Sequence, residues 1–284
     1  GERACLLIWD VGTNYTSFAP LASKSADDTE RALRAFAGRQ KVTLFYTDAA
    51  REFKSVALKM KWLHSQSVPY RHESNGRTER RLRTCIEGVR TVLANSGLSL
   101  KLWPYAAQHF AFCLNVTQSK AGVPTAYESR YKHKFVGKLI PFGALVHFLP
   151  PAADKNISLP KFAARGTPGV FLGWDLRPGG EHRGTYLVAS LEAAKNASAK
   201  SSCLVHTVYE IVEEPVVTFP LAKSSLEEYT EFGIVDVLDP NEVKDLPVGQ
   251  TENSSPFDVP QVPVVPSANE VSSSSRDVPV YDEQ

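Results

Sequence analysis

The first part of the chain alternates apolar, strand-like stretches with amphipathic helical ones. The apolar run Ala4–Trp9 and the extended stretch Asn14–Leu21, separated by a turn at Gly12, predict an antiparallel pair of strands. Ser25 then precedes two acidic residues and an apolar stripe that stops at Gly38, which predicts a helix with an N-cap and a C-terminal glycine. Strands that give way to helices in this manner favour an α/β fold.

The next elements place two carboxylates at element ends. Lys41–Thr47 alternates apolar and polar residues, which predicts a strand that delivers Asp48 at its carboxyl end, where ligands gather in open α/β sheets. A helix predicted over residues 77–95 carries Glu79 in its first turn, an apolar stripe on one side and arginines on the remaining surface. Further predicted elements are a short helix, a brief extended piece and a helix with aromatic core residues, at 51–63, 67–70 and 100–117.

A second unit is predicted to begin near Leu139. Four short apolar stretches, separated by Gly, Pro and polar turns, predict a small all-β barrel; they are Ala144–Leu149, Gly169–Trp174, Gly184–Ala189 and Cys203–Ile211. Beyond Pro220 the chain is rich in Ser, Pro, Val and acidic residues, which predicts a disordered tail. The predicted division is therefore an α/β domain at 1–119, a basic connector at 120–138, the barrel at 139–218 and the tail at 219–284.

Charge divides along the same lines. Residues 221–284 hold 13 Asp or Glu and 3 Lys or Arg, and subtracting these from the totals of 31 and 32 leaves 18 acidic and 29 basic residues in the remainder. A cationic body suggests a polyanionic partner, although a solvated surface of mixed charge is the alternative. No apolar run approaches the ~18 residues that span a bilayer, and the four cysteines form no C-x-x-C pair, which argues against a zinc or redox site. Buried thiols in an intracellular, reducing compartment are the preferred interpretation.

Several short motifs follow one another along the chain in the same order as in a known family. The pattern T-D-x-x-x-E-F at Thr47–Phe53 and V-P-Y-(x)4-N-G-(x)2-E-R at Val68–Arg80 resemble the catalytic core of retroelement integrases, most closely those of copia-type retrotransposons. Lys120–Glu128 is similar to the family segment that ends in "TPYE". Pro141–Gly143 resembles the "FG" entry to the barrel that follows, and Gly169–Trp174 resembles one of that barrel's strands.

The resemblance covers residues 1–218 and implies a ribonuclease-H-like integrase core followed by the small β-barrel. The family joins DNA ends to target DNA by attack of a 3′-hydroxyl on a phosphodiester, using two Mg²⁺ (or Mn²⁺) ions held by carboxylates. Asp48 and Glu79 are the implied catalytic residues and metal ligands. The alternatives are a plain turn residue for Asp48, and for Glu79 a helix-dipole partner or an ion pair with Arg83.

The family uses three carboxylates, and the position of the first of them in this chain has two possible assignments. Asp10 is an alternative for the first acidic ligand, but only one strand follows it before the helix, whereas the family has two strands between its first catalytic strand and that helix. The resemblance therefore implies that the first strand, with its Asp, lies upstream of Gly1, so that the chain is an N-terminally truncated fragment of a polyprotein and is inactive alone. Two internal sheet edges would then lack partners.

The implied partner is DNA, contacted through phosphates by two basic groups. One follows the Glu79 helix and comprises Arg77, Arg80, Arg83 and Arg90; the other lies on the connector and comprises Lys132, Lys134 and Lys138. Ordinary solvated charges are the alternative for both. An intact member of the family is expected to form a homo-oligomer in the nucleus, with no membrane and no small-molecule cofactor. Two functions stay open: a fragment of a metal-dependent strand-transfer enzyme, and a non-catalytic relic or co-opted DNA-binding protein.

Overall fold

A computed structural model describes most of the chain up to residue 222. It covers residues 2–47, 50–66, 76–117, 119, 121–150, 166–197 and 203–222. The chain divides into the units Gly1–Val235 and Asp236–Gln284, and all described residues belong to the first. Asp48, the extended piece predicted at 67–70 and all but the first four residues of the predicted disordered tail lie outside the described residues.

The predicted hairpin and the helix after it are confirmed. Strand β1 (Ala4–Trp9) pairs antiparallel with β2 (Thr16–Leu21), in a register that sets Ala4 opposite Leu21. Helix α1 spans Ala26–Ala37, and the Ser25 hydroxyl accepts a hydrogen bond from the Asp28 N–H at 3.2 Å, as an N-cap does. The helix ends at Gly38, whose φ of 56° favours glycine.

A second, separate pair of strands follows. Strand β3 (Phe45–Thr47) pairs in parallel with β4 (His64–Gln66), and helix α2 (Arg51–Met60) connects them. β3 is shorter than predicted because only three of its residues find partners in β4. Among the described strands β1 and β3 are not paired with each other, although Ile8 of β1 and Phe45 of β3 pack in the same apolar cluster under α1 and α2. The expectation of two unpaired edges left by a missing strand stays a prediction.

Two long helices cover the hairpin. Helix α3 (Gly76–Ser96) leads through a 3₁₀ turn (Leu100–Leu102) into α4 (Trp103–Thr117), and α4 packs against β2. The apolar stripe that the sequence predicts for this helix comprises Leu82, Ile86, Val89 and Leu93. In the structure Cys85, Val89 and Leu93 form the buried side of α3, whereas Leu82 is 37% exposed. Compared with the predicted orientation, α3 is rotated about its axis so that Cys85, and not Leu82, is buried in the core. Phe112 of α4 is buried, as expected of a core aromatic.

The β-rich part forms one antiparallel sheet of five strands. The strands are β5 (Leu145–Phe148), β6 (Thr167–Leu176), β7 (His182–Ser190), β8 (Val205–Val208) and β9 (Ile211–Glu213), in the order β8-β7-β6-β5-β9. Among the described residues the predicted closed barrel is not found, because β8 and β9 are not paired. A flat sheet would hold these edge strands about 19 Å apart, yet the two intervening residues span at most about 11 Å. The sheet is therefore strongly curled but open.

Two short helices were not predicted from the sequence: α5 (Ala126–Tyr131), which begins with a capping box at Thr125, and α6 (Leu191–Asn196). Both are too short to show an apolar period. The predicted domain limits stay a prediction, and apolar clusters combine side chains from both sides of them, such as Phe18 with Leu172 and Phe112 with Phe148. No helix in the described part is long and apolar enough to cross a membrane.

Candidate functional site

The structure places Glu79 in the first turn of α3, with its side chain exposed. A carboxylate there is favoured by the partial positive charge of the helix N-terminus. Within the described ranges Glu79 forms no ion pair, so the alternative of a pair with Arg83 is not what the structure contains. Asp48 would directly follow β3, which ends at Thr47, but its position relative to Glu79 lies outside the described residues. Their joint role stays a prediction.

Three arginines form a stripe along the exposed side of α3, which we call the α3 arginine stripe: Arg80, Arg83 and Arg90. At about 100° per residue their side chains leave the helix within an arc of about 80°, and they extend over about 15 Å of its axis. All three are exposed, and no carboxylate in the described part of the chain pairs with them. Arg77 precedes them on the same helix, but its side chain lies outside the described residues.

Arg81, in contrast, contacts the β1–β2 hairpin with its side chain. Its guanidinium lies 4.4 Å from the centroid of the Trp9 ring and donates to the Asn14 side-chain oxygen at 2.6 Å and to the Thr16 hydroxyl. Trp9 itself donates its indole N–H to the same Asn14 oxygen at 3.0 Å. These contacts fix the rotation of α3 on the β1–β2 hairpin, so that the arginine stripe points away from the core.

The connector lysines are mostly engaged. The Lys132 ammonium donates to the Ser129 carbonyl at 2.8 Å, and Lys138 pairs with Glu213 at 3.0 Å. Lys134 is exposed, and its ammonium group has no hydrogen-bond or ion-pair partner among the described residues. The second predicted DNA contact group is therefore weaker than the first, because two of its three cations already have protein partners.

Asp10 acts as the counter-ion of a buried arginine. Its Oδ2 atom lies 3.1 Å from Nη1 of Arg130, whose side chain is only 2% exposed. The same carboxylate accepts from the Gly12 N–H at 3.0 Å and the Thr13 hydroxyl at 2.6 Å. The guanidinium is completed by bonds to the carbonyls of Phe36 and Gly179, at 2.7 and 3.2 Å. The sequence does not reveal this role, since Arg130 lies 120 residues away in a helix that was not predicted.

The remaining titratable side chains of the described residues do not cluster into a second centre. The described residues contain no group of three or more His, Cys, Asp or Glu that could hold a metal ion. Burial raises the pKa of the Cys5 and Cys113 thiols to about 12 and that of Cys85 to about 11, so these thiols stay protonated at neutral pH. Burial lowers the pKa of His109 to about 4, which keeps that imidazole neutral. All four cysteines are free; Cys85 is buried, as predicted for the thiols, whereas Cys5, Cys113 and Cys203 are only half-buried.

The fold defines a mixed α/β protein, and the comparisons with known proteins go little further. No family model and no curated protein matches the chain. Among solved structures, the chain is similar to the catalytic core domain of BIV integrase, at 15% identity and a TM-score of 0.36 over 43% of this chain and 81% of that one. It is also similar to a simian T-cell lymphotropic virus intasome in complex with PP2A regulatory subunit B56 gamma, at 15% identity and a TM-score of 0.37 over 74% of this chain and 71% of that one. Scores this low do not define a family for this chain.

Proposed function

We propose that the chain is a fragment of a retrotransposon integrase of the copia type, which joins DNA ends to target DNA. The observation that carries the proposal is the exposed carboxylate of Glu79, which has no ion-pair partner in the described part of the chain, at the head of the α3 arginine stripe. The order of the sequence motifs supports it. By the same proposal an intact protein acts in the nucleus as a homo-oligomer.

In this proposal the arginines bind DNA and the carboxylates bind metal ions. The guanidinium groups of the arginine stripe bind phosphate oxygens through charge-assisted hydrogen bonds and hold the DNA backbone along α3. Glu79, together with Asp48, is suited to hold Mg²⁺ or Mn²⁺, because carboxylate oxygens are the ligands that these hard cations prefer. When bound, the metal ions supply Lewis-acid activation of the attacking hydroxyl and stabilise the leaving oxygen. Glu79 fits this role because its oxygens are exposed and, within the described ranges, not used by the protein.

A second candidate is a non-catalytic DNA-binding protein, and one contact favours it. Strand-transfer chemistry of this family requires three carboxylates, and Asp10, the described alternative for the first, already compensates the charge of Arg130 at 3.1 Å. Releasing it would leave a buried guanidinium without its counter-ion. On this alternative the arginine stripe binds DNA and no reaction follows.

One experiment separates the two candidates. Because the first candidate is a fragment of the enzyme, the readout is metal binding by the chain and not strand transfer. The full ¹⁵N-labelled chain is titrated with Mn²⁺, and binding is followed by paramagnetic broadening of the Glu79 amide resonance, while DNA binding is measured separately by fluorescence anisotropy in EDTA. The enzyme proposal expects Mn²⁺ to broaden this resonance, and Glu79→Gln to abolish the broadening without loss of DNA binding. DNA binding without Mn²⁺ binding would favour the non-catalytic candidate. Mn²⁺ binding that is unaffected by Glu79→Gln would overturn the proposed role of this residue.

A further inference from the structure

A cavity of about 600 Å³ lies beside the free edge of β2, at the opposite side of that strand from β1. Ala32 and Ala35 of α1 line one of its faces, Gln108 and Ala111 of α4 line the other, and residues 174–178 form the far wall. A cavity that runs along a strand edge between two helices has the place and shape of one more strand. We call it the β2 slot. Its volume is within the usual range for ligand sites.

The backbone of β2 presents hydrogen-bonding groups to this slot. The carbonyls of Tyr15 and Leu21 accept bonds from the β1 side, each at 2.9 Å, so the odd-numbered residues point towards β1. Because the direction alternates along an antiparallel strand, the N–H and C=O groups of Thr16 and Phe18 and the C=O of Pro20 point away from β1. The free edge therefore offers a short row of alternating donors and acceptors.

One position of that row is already completed by a side chain. The Thr16 N–H donates to the Asn115 amide oxygen at 2.8 Å, and the Asn115 amide nitrogen donates to the Thr16 carbonyl at 2.7 Å. These are the two bonds that a residue of a neighbouring strand would make. Phe18, two residues further on, has no such partner for its backbone within the described ranges. An unpaired strand edge is a ready template for a further strand, so this position calls for a partner.

The two ends of the slot carry opposite charges. Glu2 lines it at the Leu21 end, because the neighbouring Arg3 N–H bonds the Leu21 carbonyl. Arg177 lines it at the Tyr15 end, where the Tyr15 hydroxyl donates to the Gly180 carbonyl at 2.8 Å. Neither Glu2 nor Arg177 has a side-chain ion pair among the described residues. Three further charged residues line the slot, but Asp28 pairs with Arg31, and Asp175 pairs with Arg183 at 3.6 Å. The lining between the two ends also includes apolar side chains of α1, α4 and β6.

We propose that the β2 slot binds an extended peptide segment of a partner protein, which adds to β2 as an antiparallel strand. One residue of the segment exchanges two backbone hydrogen bonds with Phe18, as Asn115 does with Thr16. An antiparallel segment enters at the Leu21 end, so a basic residue at its N-terminal end meets Glu2 and an acidic residue at its C-terminal end meets Arg177. About four apolar residues lie between, since the free part of β2 spans Phe18–Leu21. The proposal is independent of the DNA-binding function.

The test uses the full ¹⁵N-labelled chain at low salt and two peptides of identical composition. The probe is acetyl-Lys-Val-Leu-Val-Val-Glu-amide, and the control, acetyl-Glu-Val-Leu-Val-Val-Lys-amide, exchanges the end charges. With the probe at saturation we expect hydrogen exchange at the Phe18 amide to slow at least tenfold, while exchange at Ile8, which already bonds β2, is unchanged. We expect the control peptide to bind at least tenfold more weakly.

Two sets of variants check the contacts. In the double variant Glu2→Lys with Arg177→Glu, the preference between the two peptides should reverse. Ala35→Trp fills the slot from an exposed position of α1 and should weaken probe binding at least tenfold, whereas Ala94→Trp, at an exposed position of α3, should not. Equal binding of both peptides, unaltered preference in the double variant, or protection at another strand edge would overturn the proposal. Protection of Phe18 that rises with protein concentration in the absence of peptide would also overturn it, because it would assign the slot to a second copy of this chain.

Discussion

Replacing Asp10 with Asn tests whether this carboxylate is a structural counter-ion or a metal ligand. The substitution removes the negative charge beside Arg130, but an Asn oxygen can still accept from the Gly12 N–H or the Thr13 hydroxyl. Removing one partner of a buried ion pair costs about 3–5 kcal/mol when both partners are fully buried. The Arg130 side chain is 2% exposed, but that of Asp10 is 30% exposed, so water compensates part of the loss. We therefore expect unfolding to become easier by about 2–3 kcal/mol.

Urea unfolding followed by tryptophan fluorescence, together with thermal unfolding, measures this loss. For a domain of this size about 1 kcal/mol moves the melting temperature by about 2–4 °C, so we expect a decrease of about 4–12 °C. Asp27→Asn is the matched control: Asp27 pairs with Lys59 at 2.8 Å, but its side chain is 80% exposed, and we expect no change in the unfolding midpoint. If Asp10→Asn unfolds like the wild type yet loses Mn²⁺ binding near Glu79, the counter-ion role is wrong and Asp10 is a metal ligand.

Three further outcomes follow from the structure. Burial lowers the pKa of His109 from 6.5 to about 4, so the stability present above pH 6.5 should be lost as the pH falls towards 4, by up to about 3 kcal/mol. Urea unfolding at pH 7.5 and at pH 4.5 measures this loss, and we expect His109→Gln to remove it. Arg83→Ala should lower the salt dependence of DNA binding by about one phosphate contact. Arg34 already pairs with Glu30, so Arg34→Ala should leave the salt dependence unchanged. Equal effects of the two substitutions would contradict DNA binding by the arginine stripe. The Leu7 amide, which faces away from β2 and has no partner in the described part of the chain, should exchange with solvent faster than the Ile8 amide, and equal rates would refute the open edge of β1.

The sequence predicts those elements whose cause is local. Helix α1 is recognised because its N-cap, its acidic first turn and its terminal Gly38 are all adjacent in the chain. Strand β4 was missed because His64–Gln66 has no apolar alternation, and within the described strands it pairs only with β3. The predicted barrel is not found closed among the described residues for a related reason: apolar stretches indicate strands, but whether the two edge strands, β8 and β9, pair with each other depends on how far the sheet curls.

The candidate site divides in the same way. The exposure of Glu79 and of the arginine stripe follows from helical spacing, so the sequence could predict both. The engagement of Arg81 with Trp9 and the pairing of Asp10 with Arg130 depend on contacts between elements far apart in the chain. The sequence alone does not distinguish an arginine whose side chain contacts other elements from one whose side chain is exposed to solvent. Only the packing of the folded chain distinguishes them.

Arg130 also bears on how the described part of the chain can move. Its guanidinium contacts the β1–β2 loop through Asp10, the end of α1 through the Phe36 carbonyl, and the turn between β6 and β7 through the Gly179 carbonyl. The backbone supporting this turn is tightly packed, since a side chain on Gly38 would lie within 2.8 Å of residues 178 and 179. Separating the hairpin from the curled sheet would break these bonds together and leave a buried cation without partners, which costs several kcal/mol. We therefore expect the hairpin, α1 and the curled sheet to move as one body, so that the direction of the α3 arginine stripe is fixed relative to the sheet.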